Sequence, residues 1–160
     1  EKIIAIDLSD EKLGLARQLG ATHTVNATDP NHVEQVRDIT DGGVDFAFDL
    51  AGTIKAMETA YGVTRYGGSV VTAGLSPSAA NFSFNQSNLV SQEKSIRGSY
   101  MGSCVPVRDI PRFINLYRQG RLPVDRLVDR TIGFEEVNAA FDKLQSNATV
   151  RQVLVPHGTA

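Results

Sequence analysis

The chain has 160 residues, 41% hydrophobic and 21% charged, with 16 Lys and Arg against 18 Asp and Glu for a net charge of −2. That balance is ordinary for a globular domain and lacks the basic surplus of a nucleic-acid surface. No apolar run approaches the roughly 20 residues of a membrane span, and the first residues lack the order of a secretion signal, so the chain is expected to be cytoplasmic. A single cysteine, Cys104, cannot form an internal disulfide. Nor can it alone build a zinc site, which takes about four ligands, and His23, His32 and His157 lack metal-ligand spacing.

In chain order, Ile3 to Ile6 form an apolar run that ends at Asp7, followed by a helix from about Asp10 to Leu19 that Gly20 stops. A short strand at Thr22 to Val25 leads to Asp29-Pro30. There a cap and a first-turn proline open a helix through Val33, Val36 and Ile39. Gly42-Gly43 breaks the chain before a strand carrying Val44, Phe46, Phe48 and Leu50. Ile54, Met57 and Tyr61 then recur at helical spacing, and Gly67-Gly68 is the next punctuation. A fourth strand, Val70 to Ala73, ends at Gly74, and a loop rich in Ser, Pro and Ala follows from Ser76 to about Asn81.

Ile96 to Met101 reads as a strand. Ile110, Phe113, Ile114 and Tyr117 form one amphipathic face behind a capping Asp109. After Gly120 the pattern changes: a strand at Leu127 to Ile132, a helix with Val137, Phe141 and Leu144 on one face, and a terminal strand at Val153 to Val155. A domain boundary is therefore expected near residue 120. Alternation of nearly continuous apolar strands with helices predicts an α/β fold with a parallel sheet covered by helices.

In such a sheet, ligands bind beyond the carboxyl ends of the strands. The residues there are Asp7 and Leu8, then Leu50, Ala51 and Gly52, then Ala73, Gly74 and Leu75, and finally Ser99, Tyr100 and Met101. Most are small or apolar, which suits the flat face of an aromatic ring. Asp7 is the charged member. Its carboxylate could accept both hydroxyl protons of a ribose and repel a 2′-phosphate, favouring NAD over NADP; equally, it could only cap the following helix. Lys12 could reach the same ribose or lie on a solvated helix face. Arg151, before the last strand, could meet a phosphate or be ordinary surface, and Cys104 reads as a passive thiol.

A signalling alternative is a phospho-acceptor receiver domain. Asp7, Asp49, Thr72 and Lys94 fall on successive strand ends or their neighbours in that order. Against it, a Mg²⁺ pocket needs adjacent carboxylates at the first strand, where Asp7 stands alone.

The stretches "IIAIDLSDEKLGLARQLGATHTVN", "GGVDFAFDLAG", "GGSVVTAGL", "IRGSYMGS", "GRLPVDRLV" and "FEEVNAAFDKLQSNATVRQVLVP" together resemble the zinc-dependent, medium-chain alcohol dehydrogenase family, in order across nearly the whole chain. The resemblance implies a Rossmann-like, doubly wound parallel sheet over residues 1–120. Residues 121–160 would return to a catalytic domain. It implies that Asp7 is a ribose-binding acid with Lys12 as its companion. Leu50, Ala51 and Gly52 would line the adenosine and nicotinamide-ribose side. Ala73, Gly74 and Leu75 would lie against the nicotinamide, with main-chain groups of Ser99 and Met101 holding its carboxamide, Tyr100 among the cofactor-binding residues, and Arg151 approaching the pyrophosphate. The implied reaction is hydride transfer between an alcohol, or a thiol–formaldehyde adduct, and NAD, with zinc polarising the substrate oxygen.

The family's zinc ligands, proton relay, first sheet strand and Gly-x-Gly-x-x-Gly turn have no counterpart in this sequence. These residues alone are therefore expected to be catalytically inactive. Small-molecule alcohols or aldehydes are the expected substrates of the parent enzyme, with no nucleic-acid or membrane partner. Without the family's first strand, the sheet would expose pairing groups beside the run from Ile3 to Asp7, so a homo-oligomer is expected.

Overall fold

The computed structural model describes residues 1–146 and 149–157. Its order is β1 (Ile4–Asp7), α1 (Asp10–Gln18), β2 (His23–Asn26), α2 (His32–Thr40), β3 (Val44–Asp49), α3 (Ile54–Val63), β4 (Thr64–Thr72), α4 (Gln86–Ser91), β5 (Ser95–Gly98), α5 (Pro106–Arg118), β6 (Arg130–Ile132), α6 (Val137–Gln145) and β7 (Gln152–Leu154). Three 3₁₀ turns, at Tyr100–Ser103, Val124–Leu127 and Phe134–Glu136, complete it. Every strand pairing is parallel: β1 with β2, β3–β4–β5 in a second ladder, and β6 with β7. The chain divides into two compact units, Glu1–Cys104 and Val105–Ala160, so α5 belongs with the second unit although the change in sequence pattern lies near residue 120.

One core serves both ladders of the first unit. Val25 from β2, Val36 from α2, Ala47 from β3, Met57, Ala60 and Val63 from α3, and Val70 from β4 are buried together, with Ile4 and Ile6 of β1 packed against them. Fully burying side chains such as Val36 and Val70 stabilises by roughly 1.5–3 kcal/mol each. The alternation along β3 sends Ala47 and Asp49 inward, while Phe46 and Phe48 on its other face are each 64% exposed. Among the described residues no strand is paired between β1 and β3.

Several boundaries differ from the sequence expectation for physical reasons. Gly67-Gly68 does not separate elements: α3 passes directly into β4, which runs through both glycines. Its register against β3 shifts between the Val44–Thr64 and Phe46–Ser69 pairs. A β-bulge absorbs the extra residues, and a Cβ on Gly68 would lie 2.6 Å from Thr64 Cγ2 and 3.1 Å from Asp45 O. The strand expected at Ile96 to Met101 ends at Gly98, because Met101 (φ 48°) and Ser103 (φ 53°) turn left-handed. Helix α5 begins at Pro106 rather than at Asp109, whose carboxylate instead reaches back to accept the Val105 amide at 2.8 Å. Likewise α2 starts at His32, with Asp29 spent on the Asn31 amide, and the strand expected from Leu127 is confined to Arg130–Ile132.

Lys94, 9% exposed, precedes β5 and donates to Tyr61 O at 3.1 Å, with its ammonium 4.6 Å from the Tyr61 ring centroid. Burial first, and the positive charge of Arg37 second, hold its pKa below the ordinary 10.5. Between that lowered value and 10.5 the unfolded chain binds more protons than the folded one, so stability rises with pH through this window. Urea midpoints measured on either side of it are expected to climb in the wild type and to climb less in Lys94→Met. Equal slopes would contradict the assignment.

Candidate functional site

Three strand ends are brought level by the ladder register, in which Asp49 pairs with Thr72 and Thr72 with Gly98. The residues that follow, Leu50 to Gly52, Ala73 to Leu75, and Ser99 to Met101, therefore emerge along one edge of the sheet. The first two segments touch. Gly52 adopts φ +66°, and a Cβ on it would meet Leu75 O at 2.8 Å. A Cβ on Gly74 would lie 2.1 Å from Gly52 N, so only glycine allows the two backbones to approach this closely. The Ser76 hydroxyl donates to Gly52 O at 3.0 Å, and Ser99 N donates to Thr72 O at 2.9 Å, which ties the third segment to the second.

Leu50, Leu75, Tyr100 and Met101 are largely exposed around these segments, while Gly52 is buried between them. The third segment is a 3₁₀ turn with three consecutive positive φ values at Met101, Gly102 and Ser103. Non-glycine residues in that region carry strain, which concentrates where a backbone must present particular groups. Exposed apolar side chains and a strained backbone turn are thus brought to the same edge of the sheet.

Asp7 closes β1 in the other ladder of the same unit. Its Oδ1 accepts the Ser9 amide at 2.9 Å. The cap of α1 is Ser9, whose hydroxyl accepts the Lys12 amide, so the capping role considered for Asp7 falls to its neighbour. Asp7 Oδ2 has no hydrogen-bond partner among the described residues. An acid at this strand end with one oxygen committed and one available has the chemistry to accept ribose hydroxyls, and the adjoining Leu8 and Ser9 bring no cation for a 2′-phosphate. Lys12 is half-buried in the first turn of α1.

Arg151 lies in the second unit, just before β7. Together with Tyr117, Val124, Asp125, Leu127 and Val128 it lines a cleft of about 450 Å³ there. Among the described residues no group of three or more His, Cys, Asp or Glu side chains is placed to hold a metal ion. No described helix is long and apolar enough to cross a membrane.

The receiver constellation is not assembled. Asp49 and Thr72 do meet, at 2.8 Å, but Asp49 is 4% exposed with both oxygens engaged. Lys94 sits before β5, at the opposite end of the strands, bonded to Tyr61 O. A buried, fully hydrogen-bonded carboxylate with no lysine beside it is not available to accept a phosphoryl group.

Sequence similarity agrees with the geometry. A family described as zinc-binding dehydrogenase matches residues 2–119. The S-(hydroxymethyl)glutathione dehydrogenase of Paracoccus denitrificans is 28% identical over 97% of this chain and 43% of its own length. Alcohol dehydrogenase class-2 isozyme 2 of Oryctolagus cuniculus is 31% identical over 96% of this chain and 41% of its own. Among solved structures, benzyl alcohol dehydrogenase from Acinetobacter calcoaceticus superposes with a TM-score of 0.92 at 31% identity, covering 98% of this chain and 43% of that one. The chain spans less than half the length of these relatives, and its α/β architecture is Rossmann-like, matching the solved structure it superposes on. The chain belongs to the zinc-binding dehydrogenase family.

Proposed function

We propose that the chain is the NAD-binding portion of a zinc-dependent alcohol dehydrogenase. The observation that carries this reading is Asp7: it ends β1, leaves the capping of α1 to Ser9, and has one carboxylate oxygen without a partner among the described residues. NAD, when bound, supplies the hydride acceptor for an alcohol or, reduced, the hydride donor for an aldehyde. Asp7 accepts the hydroxyls of the adenine ribose, with Lys12 beside it. Leu50, Ala51 and Gly52 line the adenosine and nicotinamide-ribose side. Ala73, Gly74 and Leu75 present their backbone to the nicotinamide. Ser99 and Met101 hold the carboxamide through main-chain groups, with Tyr100 between them at the cofactor, and Arg151 approaches the pyrophosphate.

Residues 1–120 form the dinucleotide-binding part in this reading, and 121–160 rejoin a catalytic domain that supplies zinc and the substrate pocket. The substrate is a small alcohol or aldehyde, or a thiol–formaldehyde adduct, and neither nucleic acid nor membrane takes part. The parent enzyme is a cytoplasmic homo-oligomer, and the chain on its own binds NAD weakly and does not turn over. Calorimetric titration of the parent enzyme should give tighter binding of NAD than of NADP; equal affinities would remove the role assigned to Asp7.

A further inference from the structure

The carboxylate of Asp49 is the most buried acidic group among the described residues. Its Oδ1 accepts the amides of Ala51 at 3.1 Å and Gly52 at 3.3 Å, and its Oδ2 accepts the Thr72 hydroxyl at 2.8 Å. Its own backbone carbonyl accepts the amides of Ala73 at 2.9 Å and Gly74 at 3.1 Å. No Lys, Arg or His among the described residues lies within 4.0 Å to offset the charge. Burying an ionised carboxylate is costly unless hydrogen bonds to it compensate, and here the compensation comes only from donors on two separate strand-end segments.

We propose that Asp49 is the positioning residue of the cofactor crevice, its side chain fixing the segment 50–52 against β4 and thereby against 73–75; this rests on the NAD reading above. The two segments cannot move independently. The Gly52 amide that Asp49 holds is the atom a Gly74 Cβ would strike, and Thr72, held by the same carboxylate, accepts the Ser99 amide through its carbonyl. One buried acid therefore connects all three segments that follow β3, β4 and β5. Its effect on NAD is exerted through their backbone rather than by contact.

The test uses ¹⁵N-labelled chain and measures amide hydrogen exchange and NAD titration together, in the wild type, Asp49→Ala and Asp49→Asn. Asparagine keeps an acceptor for the two amides and can donate to the Thr72 oxygen. In Asp49→Ala, exchange at Ala51 and Gly52 is expected to accelerate at least about tenfold and NAD binding to weaken about tenfold, with Asp49→Asn returning both to within about threefold of wild type. Unchanged exchange at Ala51 and Gly52 in the alanine variant would overturn the proposal, as would unchanged NAD affinity despite faster exchange. Should Asp49→Ala fail to fold, Thr72→Val carries the test by removing one bond of the three. NAD binding about threefold weaker then supports the proposal, and no change overturns it. Absence of NAD binding by the folded wild type would instead defeat the cofactor reading itself, and this inference with it.

Discussion

Gly74→Ala is expected to lower the melting temperature by roughly 2–12 °C and to abolish detectable NAD binding to the chain. The added Cβ would lie 2.1 Å from Gly52 N and 2.5 Å from Gly52 Cα, both backbone atoms that no rotamer change can move. Relief requires the segments 50–52 and 73–75 to separate, against the bonds from Ala73 N and Gly74 N to Asp49 O and from Ser76 Oγ to Gly52 O. Overpacking of this kind costs about 1–3 kcal/mol, each kcal/mol shifting the melting point of a domain this size by roughly 2–4 °C. Gly14→Ala supplies the contrast. Gly14 lies inside α1 with nothing within 4 Å of a built Cβ, so alanine there should raise stability by up to about 1 kcal/mol. A thermal melt by circular dichroism reads both, and a Gly74→Ala chain as stable as wild type would contradict the close approach of the two segments.

Asp7→Ala is the largest expected functional effect with the smallest structural one. A hydrogen bond to a charged group is worth about 1.5–3 kcal/mol, so losing the ribose acceptor should weaken NAD binding to the parent enzyme roughly 10- to 100-fold. NADP should not weaken, because the same substitution removes the charge that repels its 2′-phosphate. The preference between the two cofactors therefore collapses. Stability should fall by only roughly 2–4 °C, since the Asp7 side chain makes one local, half-exposed bond among the described residues, to Ser9 N, worth about 1 kcal/mol, and the helix cap belongs to Ser9. A variant that keeps its preference for NAD would place the ribose elsewhere. A large loss of stability would make Asp7 a structural residue after all.

Much of this architecture is legible in the chain because the signals are local. Apolar runs at Ile4–Asp7 and Val44–Asp49, each followed by a helix with apolar residues at helical spacing, mark the β–α repeat and with it the carboxyl edge where a ligand would sit. Helix α4 has no signature in the chain because Gln86 to Ser91 has no apolar periodicity, and its start depends on the Asn85 side chain accepting the Asn88 amide. Gly67-Gly68 misleads because a glycine pair that breaks an element and one that lets a bulge pass look alike until the partner strand is known. Among the strand-end residues, the positions are local facts, but the meeting of Gly52 with Gly74 joins points far apart in the chain. The role of Asp49 had a local trace: an acid closing an apolar strand, with Ala51 and Gly52 just after it, is the spacing at which a carboxylate can accept the amides two and three residues on. Only the fold reveals that Thr72 completes the set.

The most direct test of the account is an NAD titration of the ¹⁵N-labelled chain followed by amide chemical shifts. A site at the carboxyl edge predicts concentration-dependent shifts at Asp7, Ser9, Ala51, Gly52, Gly74 and Ser99, even for an affinity near 1 mM, with Gly42, Gly43 and Tyr66 at the other end of the strands unmoved. Shifts confined to that other end, or none anywhere at about 10 mM NAD, would contradict it.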